Sequence, residues 1–129
     1  MHEPDRGLAR FRDTPAVLLT TYRRDGRPVP TPVSIAVDGD RAFVRTWRTA
    51  GKARRLRHTR RATIAPSTFR GRPTGEPTEV VARLVDGPDA HRAAELLRRK
   101  HPVLHGIVVP LVHRLTGKET VYLSLVPAA

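Results

Sequence analysis

Residues 17–46 read VLLTTYRRDGRPVPTPVSIAVDGDRAFVRT, and this one run predicts three strands. From Ala16, AVLLTTYRR is rich in residues that favour a pleated, half-buried strand. Asp25-Gly26 follows, a pair suited to a tight hairpin because glycine takes the positive φ the turn requires. The next run, Pro28 to Asp38, holds Pro28, Pro30 and Pro32, which cannot donate to a ladder, so it predicts an irregular strand at an edge or bulge. Asp38-Gly39-Asp40 makes a second turn. Arg41 to Trp47 then alternates, with Ala42, Val44 and Thr46 on one side and Phe43, Arg45 and Trp47 on the other.

Working outward, Thr49 can cap a helix from about Gly51 to Thr59 whose apolar stripe is only Ala53 and Leu56. Arg61 to Ser67 is a fourth strand, Phe69 to Pro77 a Gly/Pro/Thr loop and Thr78 to Val85 a fifth strand. Asp86-Gly87-Pro88 ends that strand, and Pro88 with the residues to His101 gives a helix with Ala93, Leu96 and Leu97 on one face. Val103 to Leu115 has helical spacing at Leu104, Ile107, Val108, Leu111 and Leu115, and Pro110 should kink or divide it. Thr120 to Val126 is a closing strand. Upstream, Pro4 to Phe11 fits a short leading helix with Leu8 and Phe11 on one face. The fold class is mainly β with flanking helices (α+β): six strands as a small barrel, one domain over residues 1–129.

The net charge of +12 is concentrated rather than spread. Between Arg41 and Gly75 stand eleven basic residues and no Asp or Glu, while the rest of the chain has 13 basic against 12 acidic residues. A GC-rich genome would enrich arginine, but it would not empty this stretch of acids. So lopsided a field attracts phosphates, carboxylates or nucleic acid.

The segment Arg45 to Arg57, RTWRTAGKARRLR, gives that charge a geometry. A strand delivers Arg45, Thr46 and Arg48 to a turn, and the helix after it begins with free backbone N–H groups, the arrangement that binds phosphate. Thr49 supplies a hydroxyl, Gly51 lets the backbone come close, and Lys52 and Arg55 lie one helical turn apart. The bland alternative is a solvated helix face.

Other chemistries are poorly served. With no cysteine, disulfides, thiolate metal sites and cysteine nucleophiles are excluded. Gly51-Lys52 and Gly117-Lys118 lack the rest of a phosphate-binding loop, and no GxGxxG occurs. Of six histidines only His101 and His105 have ligand-like spacing, and Pro102 lies between them with no acidic third ligand; they read as ordinary surface or helix-end residues. Ser34, Ser67 and Ser124 lack a nucleophile elbow. Such scarcity of acid-base groups suits an enzyme whose reactive atom belongs to a cofactor. The charged N-terminus and the lack of about 18 consecutive apolar residues predict a soluble cytoplasmic protein.

The ordered set at residues 17–46, followed by GKARRLRHTRRATIAPSTFRGRPTGEP at residues 51–77, resembles the pyridoxamine-phosphate-oxidase-like superfamily. More narrowly it resembles the small actinobacterial deazaflavin-dependent oxidoreductases. The resemblance implies a six-stranded split β-barrel, a homodimer, and two cofactors in grooves between the subunits. By its motif, Lys52 with Arg55, Thr49 and Gly51 would hold the phosphate of coenzyme F-420, and Arg57 or Arg48 would reach its oligoglutamate tail. Thr31, Pro32, Val33 and Ser34 would lie along the deazaflavin ring, with Ala65, Pro66 and Ser67 nearby. The implied chemistry is hydride transfer to or from a small unsaturated or quinone-like substrate. Tyr22, Ser67 and Tyr122 are candidate proton donors and equally candidate packing residues.

Members of the family also use FMN or bind haem, so FMN is the alternative cofactor and a carrier without turnover the alternative role. The arginine-rich helix favours the longer anionic tail. A nucleic-acid-binding module, with Phe43, Trp47 and Phe69 beside the basic stripe, is the rival from another class, disfavoured by only 5% aromatic residues. The loop Phe69 to Gly75 and the segment Val103 to Val112 are expected near the substrate pocket.

Overall fold

The computed structural model of the chain describes residues 7–47, 60–102, 104–117 and 119–128. Its strands are β1 (Ala16–Tyr22), β2 (Pro28–Val33), β3 (Ile35–Asp38), β4 (Arg41–Trp47), β5 (Arg61–Ser67), β6 (Thr78–Val85) and β7 (Thr120–Pro127). They form one antiparallel sheet in the order β2-β1-β5-β6-β7-β4-β3. Gly26 turns β1 into β2 at φ 90°, with its N–H donating to the Arg23 carbonyl at 2.8 Å.

Six strands were expected and seven are present, because the Pro28 to Asp38 run is two strands divided at Ser34. The register explains the division. Pro28, Pro30 and Pro32 lie opposite Tyr22, Thr20 and Leu18, so all three donorless nitrogens point to the same side of β2. Val29, Thr31 and Val33 are left to serve β1, and the other edge cannot carry a ladder. The chain therefore crosses at Ser34, and Ile35–Asp38 pairs with Val44–Arg41 on β4. Since β2 and β3 are the two ends of the sheet order, a one-residue link joins those ends and curls the sheet upon itself.

Inside lie Val17, Leu19, Ile35, Ala42, Val44, Ala62, Ile64, Val80, Ala82, Leu123 and Leu125, joined by Leu8 and Phe11. Over the described residues the leading segment is a single 3-10 turn, Ala9–Phe11, yet both its apolar side chains are fully buried. On β4, Phe43 is fully buried although it faces away from Ala42 and Val44. Its face is covered because helix α1 (Gly87–Lys100) packs across β3, β4 and β7.

That helix buries Ala93 and Leu97, with Leu96 half-buried, and it is tied down by charge. Asp38 accepts from Arg92 at 3.2 Å and meets Arg41 at 3.6 Å, while Arg41 reaches Asp89 at 3.2 Å. The Arg92 hydrogen bond holds the Asp38 carboxyl below its ordinary value. At the other end of α1, Lys100 donates from Nζ to the carbonyls of Thr14 (2.7 Å) and Phe11 (3.3 Å). Beyond it come a π-helical turn, Leu104–Val108, and helix α2 (Val109–Thr116). Pro110 has no N–H for the preceding turn, so the predicted division falls beside it, with proline in the first turn of α2. Gly117, at φ 72°, ends α2. Among the described residues no helix is long and apolar enough to cross a membrane.

Lys100→Met should keep the buried stem and remove the two charged hydrogen bonds that clamp the leading segment. Two-state urea unfolding should then show a loss of about 2 kcal/mol; a change within error would assign the clamp no energetic role.

Candidate functional site

The crossing at Ser34 leaves a concavity where the sheet's ends meet. Its cavity, about 340 Å³, is lined by Ala16 of β1, Thr31, Pro32 and Val33 of β2, Ser34, Arg45 and Thr46 of β4, Phe69 and Leu104. Strand geometry brings them together: Ala16 starts β1, Val33 ends β2, and Arg45 and Thr46 close β4. Phe69 is 64% exposed at the mouth. Among the described residues the walls are largely apolar, with the hydroxyls of Thr31, Ser34 and Thr46 and the Arg45 guanidinium.

Six of the residues named from the sequence line this cavity together: Thr31, Pro32, Val33, Ser34, Arg45 and Thr46. Ala65, Pro66 and Ser67 do not line it. They sit on the neighbouring strand, where Ser67 pairs with Ala16, and the Ser67 hydroxyl donates to the Thr68 carbonyl at 2.9 Å. Arg48, Thr49, Gly51, Lys52, Arg55 and Arg57, with the helix expected over Gly51 to Thr59, lie outside the described residues. The two segments expected near a substrate each contribute one wall residue, Phe69 and Leu104. Tyr22 is elsewhere: with Arg23, Arg24, Gly26 and Arg61 it lines a second concavity of about 300 Å³ at the opposite end of β1. There the Arg61 guanidinium lies 5.5 Å from the centre of the Tyr22 ring.

Behind the first cavity stands a polar cluster that composition and spacing did not reveal. Arg45 pairs in register with Tyr122 of β7, and both are half-buried. Burial pushes the Arg45 guanidinium below its usual range and Tyr122 upward, while each tempers the other through the proximity of their charges. His105, in the π-helical turn beside wall residue Leu104, is also half-buried. Burial first, then Arg45 and His101, push its imidazole down from 6.5 to about 4.

The ring of His101 lies 5.6 Å from that of His105. Its Nε2 is 3.3 Å from the Ile35 carbonyl, and since a carbonyl can only accept, the proton is on that nitrogen. Burial lowers its affinity for a second proton. Of the reading as surface or helix-end residues, the helix-end part holds for His101, which caps α1, while both rings are half-buried rather than on the surface, His101 turned toward β3. Their i, i+4 spacing was legible, and the Pro102 between them hid its use. Among the described residues no three His, Asp or Glu side chains gather as a metal site.

No protein-family model and no curated protein matches the chain. Solved structures do, across nearly its whole length. The heme storage protein HutZ from Vibrio cholerae superposes with a TM-score of 0.66 at 18% identity, covering 95% of this chain and 88% of that one. A candidate pyridoxamine 5'-phosphate oxidase from Listeria innocua gives 0.55 at 14%, covering 95% and 90%. An F-420 reductase gives 0.61 at 15%, covering 98% and 97%. The chain shares the pyridoxamine-phosphate-oxidase-like α+β fold of these proteins, with the seventh strand arising from the division at Ser34.

Two depressed imidazoles make an acid-labile fold with a defined window. In the unfolded chain both titrate near 6.5, whereas folded His105 resists protonation down to about 4. The unfolded state therefore binds more protons between those values, and stability is full above about pH 6.5 and declines as pH falls toward 4. Asp38 acts below that window, since its stabilising ion pairs are lost only beneath 3.8. His105→Gln should flatten the decline of the urea midpoint between pH 6.5 and 4 by on the order of 1 kcal/mol, a figure discounted for partial solvent exposure.

Proposed function

We propose that this protein is a split-barrel redox protein that binds coenzyme F-420 and passes hydride between it and a small unsaturated or quinone-like substrate. The observation that carries the reading is the cavity itself: the residues assigned to a cofactor ring from the sequence, Thr31 to Ser34, form one continuous wall facing Arg45 and Thr46. The lining suits a flat heteroaromatic ring. Pro32, Val33, Phe69 and Leu104 offer apolar surface, and the hydroxyls of Thr31, Ser34 and Thr46 offer hydrogen bonds to ring carbonyls.

A deazaflavin supplies the hydride-transfer chemistry when bound. The chain's own part is to orient the ring, exclude water from one face of it and hold its acidic handle. Lys52, Arg55, Thr49 and Gly51 hold the phosphate in this reading, and Arg48 or Arg57 reaches the tail. FMN is the alternative cofactor. Haem is the second reading, favoured by the likeness to a heme storage protein and by the histidine pair whose His105 adjoins wall residue Leu104.

The protein is further proposed to act as a homodimer. Ile107, Leu111 and Leu115 recur every four residues along the π-helical turn and α2 and are 62%, 48% and 75% exposed, and Phe69 stands open at the cavity mouth. A second copy covering them would close the cavity on its open side. Light scattering should give about twice 14.4 kDa, and Leu111→Glu with Leu115→Glu should halve it; a wild-type monomer at 100 µM, a concentration on the order of those at which weak dimers form, refutes the dimer.

Titration of purified protein with oxidised coenzyme F-420, FMN and haem decides among the cofactors. F-420 should bind tightest, and Lys52→Ala, Arg55→Ala and Arg45→Met should each weaken it by about ten- to a hundredfold, the loss expected for one charge-assisted contact. Absence of binding by F-420 with tight haem binding selects the second reading. Failure of all three removes the cofactor role altogether.

A further inference from the structure

The hairpin after β5 is pinned along its length, yet its apex carries an apolar ring in water. Ser67 bridges to Pro73, the Thr68 N–H donates to the Arg72 carbonyl at 2.9 Å, and the Gly71 N–H donates to the Thr68 carbonyl at 3.0 Å. The Arg72 N–H donates to the Thr68 hydroxyl at 3.1 Å, and the Thr74 N–H to the Pro66 carbonyl at 2.7 Å. Two glycines then seat the hairpin on proline rings. At Gly71, φ 91°, a Cβ would stand 3.5 Å from Pro32 and 3.6 Å from Leu18, cross-strand partners on β2 and β1. At Gly75 it would stand 2.8 Å from Cγ of Pro66, a separation that side chains do not adopt, and the closed proline ring has little room to move aside. Thr68 to Gly71 is thus a tight turn held at its base and along its flank.

At the apex of that turn is Phe69, 64% exposed and part of the cavity wall. Turn positions ordinarily take Gly, Pro, Asn, Asp or Ser, so the backbone does not ask for a phenylalanine here. An apolar ring kept in water on a rigid support is the arrangement of a contact surface already ordered for its partner. We propose that Phe69 is a specificity-determining residue for the substrate: the turn presents its ring as a stacking face at the cavity mouth, and the substrate class it selects is a fused aromatic quinone rather than an open-chain or saturated-ring enone. The proposal rests on the functional reading, in which the cavity holds the cofactor, and adds which substrates are taken.

The selection has a physical source. An aromatic pair adds roughly two- to tenfold in affinity beyond the area it buries, and a puckered enone ring forgoes that gain. A mobile loop would return much of it as the entropy of ordering the support. Here the backbone is ordered before the ligand arrives, and phenylalanine has only two side-chain torsions left to fix. Gly71 also rests on Pro32, itself a wall residue, so the turn is braced against the wall that Thr31 to Ser34 provide. The rival use for an exposed ring at this place is a contact between subunits, and the experiment separates the two.

The test follows the phenylalanine rings by NMR in the isotope-labelled full chain, with and without oxidised coenzyme F-420. The sequence has three phenylalanines, and Phe11 and Phe43 are fully buried, so Phe69 gives the exposed signal. The probes are menadione, a fused-ring quinone with no cysteine in this chain to alkylate, and cyclohexenone. Menadione should shift the Phe69 signals alone and bind about tenfold more tightly than cyclohexenone. In Phe69→Ala that ratio should fall to about one, and in Phe69→Leu, which keeps apolar area without a π face, to about threefold. Gly75→Ala should also lower the ratio with Phe69 still in place, a loss that only a positioned ring would show; Gly71→Ala serves should that variant fold poorly. No menadione binding up to its solubility, unmoved Phe69 signals on binding, or an unchanged ratio in Phe69→Ala each overturns the proposal. A halved mass of Phe69→Ala in light scattering with the ratio unchanged assigns the ring to the subunit contact instead. Absence of cofactor binding removes the functional reading while leaving the Phe69 shift intact, so the two fail separately.

Discussion

The fold depends on a missing hydrogen-bond donor, repeated three times. Pro28, Pro30 and Pro32 occupy alternate positions of one strand, so the same edge of β2 lacks an N–H at every place where a ladder needs one. A sheet cannot be extended past such an edge. The chain after Val33 must find another partner, and it finds β4 at the far end of the sheet order. Curling of the sheet, the concavity at Ser34 and the meeting of β2 with β4 all follow from that. The same prolines protect the edge against pairing with another molecule, a hazard of any strand with open donors and acceptors.

The cavity inherits its chemistry from that crossing. Residues at a sheet edge or strand break carry backbone groups with no ladder partner on one side, and Thr31, Ser34 and Thr46 bring hydroxyl side chains to the wall as well. One cation, Arg45, is held half-buried where water cannot fully solvate it. Taking a cation partly out of water is costly, and the same burial raises the Tyr122 phenol and pushes the His105 imidazole down to about 4, so both stay uncharged near neutral pH.

Much of this was legible in the sequence, and the boundary is instructive. Five of the strands were visible as such, and β2 and β3 as one run, because alternation and the Asp25-Gly26 and Asp38-Gly39-Asp40 turns are local signals. Leu8 and Phe11 were legible as a spaced apolar pair. The break at Ser34 was half legible, since the prolines announced an irregular strand but not that it would change partners, a choice made by β4 from elsewhere in the chain. Phe43 illustrates the converse: alternation sets it on the side away from Ala42 and Val44, and only the docking of α1 makes that face a second interior. The wall from Thr31 to Ser34 came from resemblance rather than periodicity.

What could not be read was the inward turn of the histidines, because nothing local decides it. His101 ends α1, and its ring is drawn in by a carbonyl on β3, 66 residues earlier. His105 lies in the π-helical turn that follows, 5.6 Å ring to ring from His101. This is the general reason that a site is harder to read than a fold. Strands are specified by neighbours in sequence, whereas the charge state of a buried group is specified by whatever the tertiary structure brings beside it, and here that is a strand about sixty residues away.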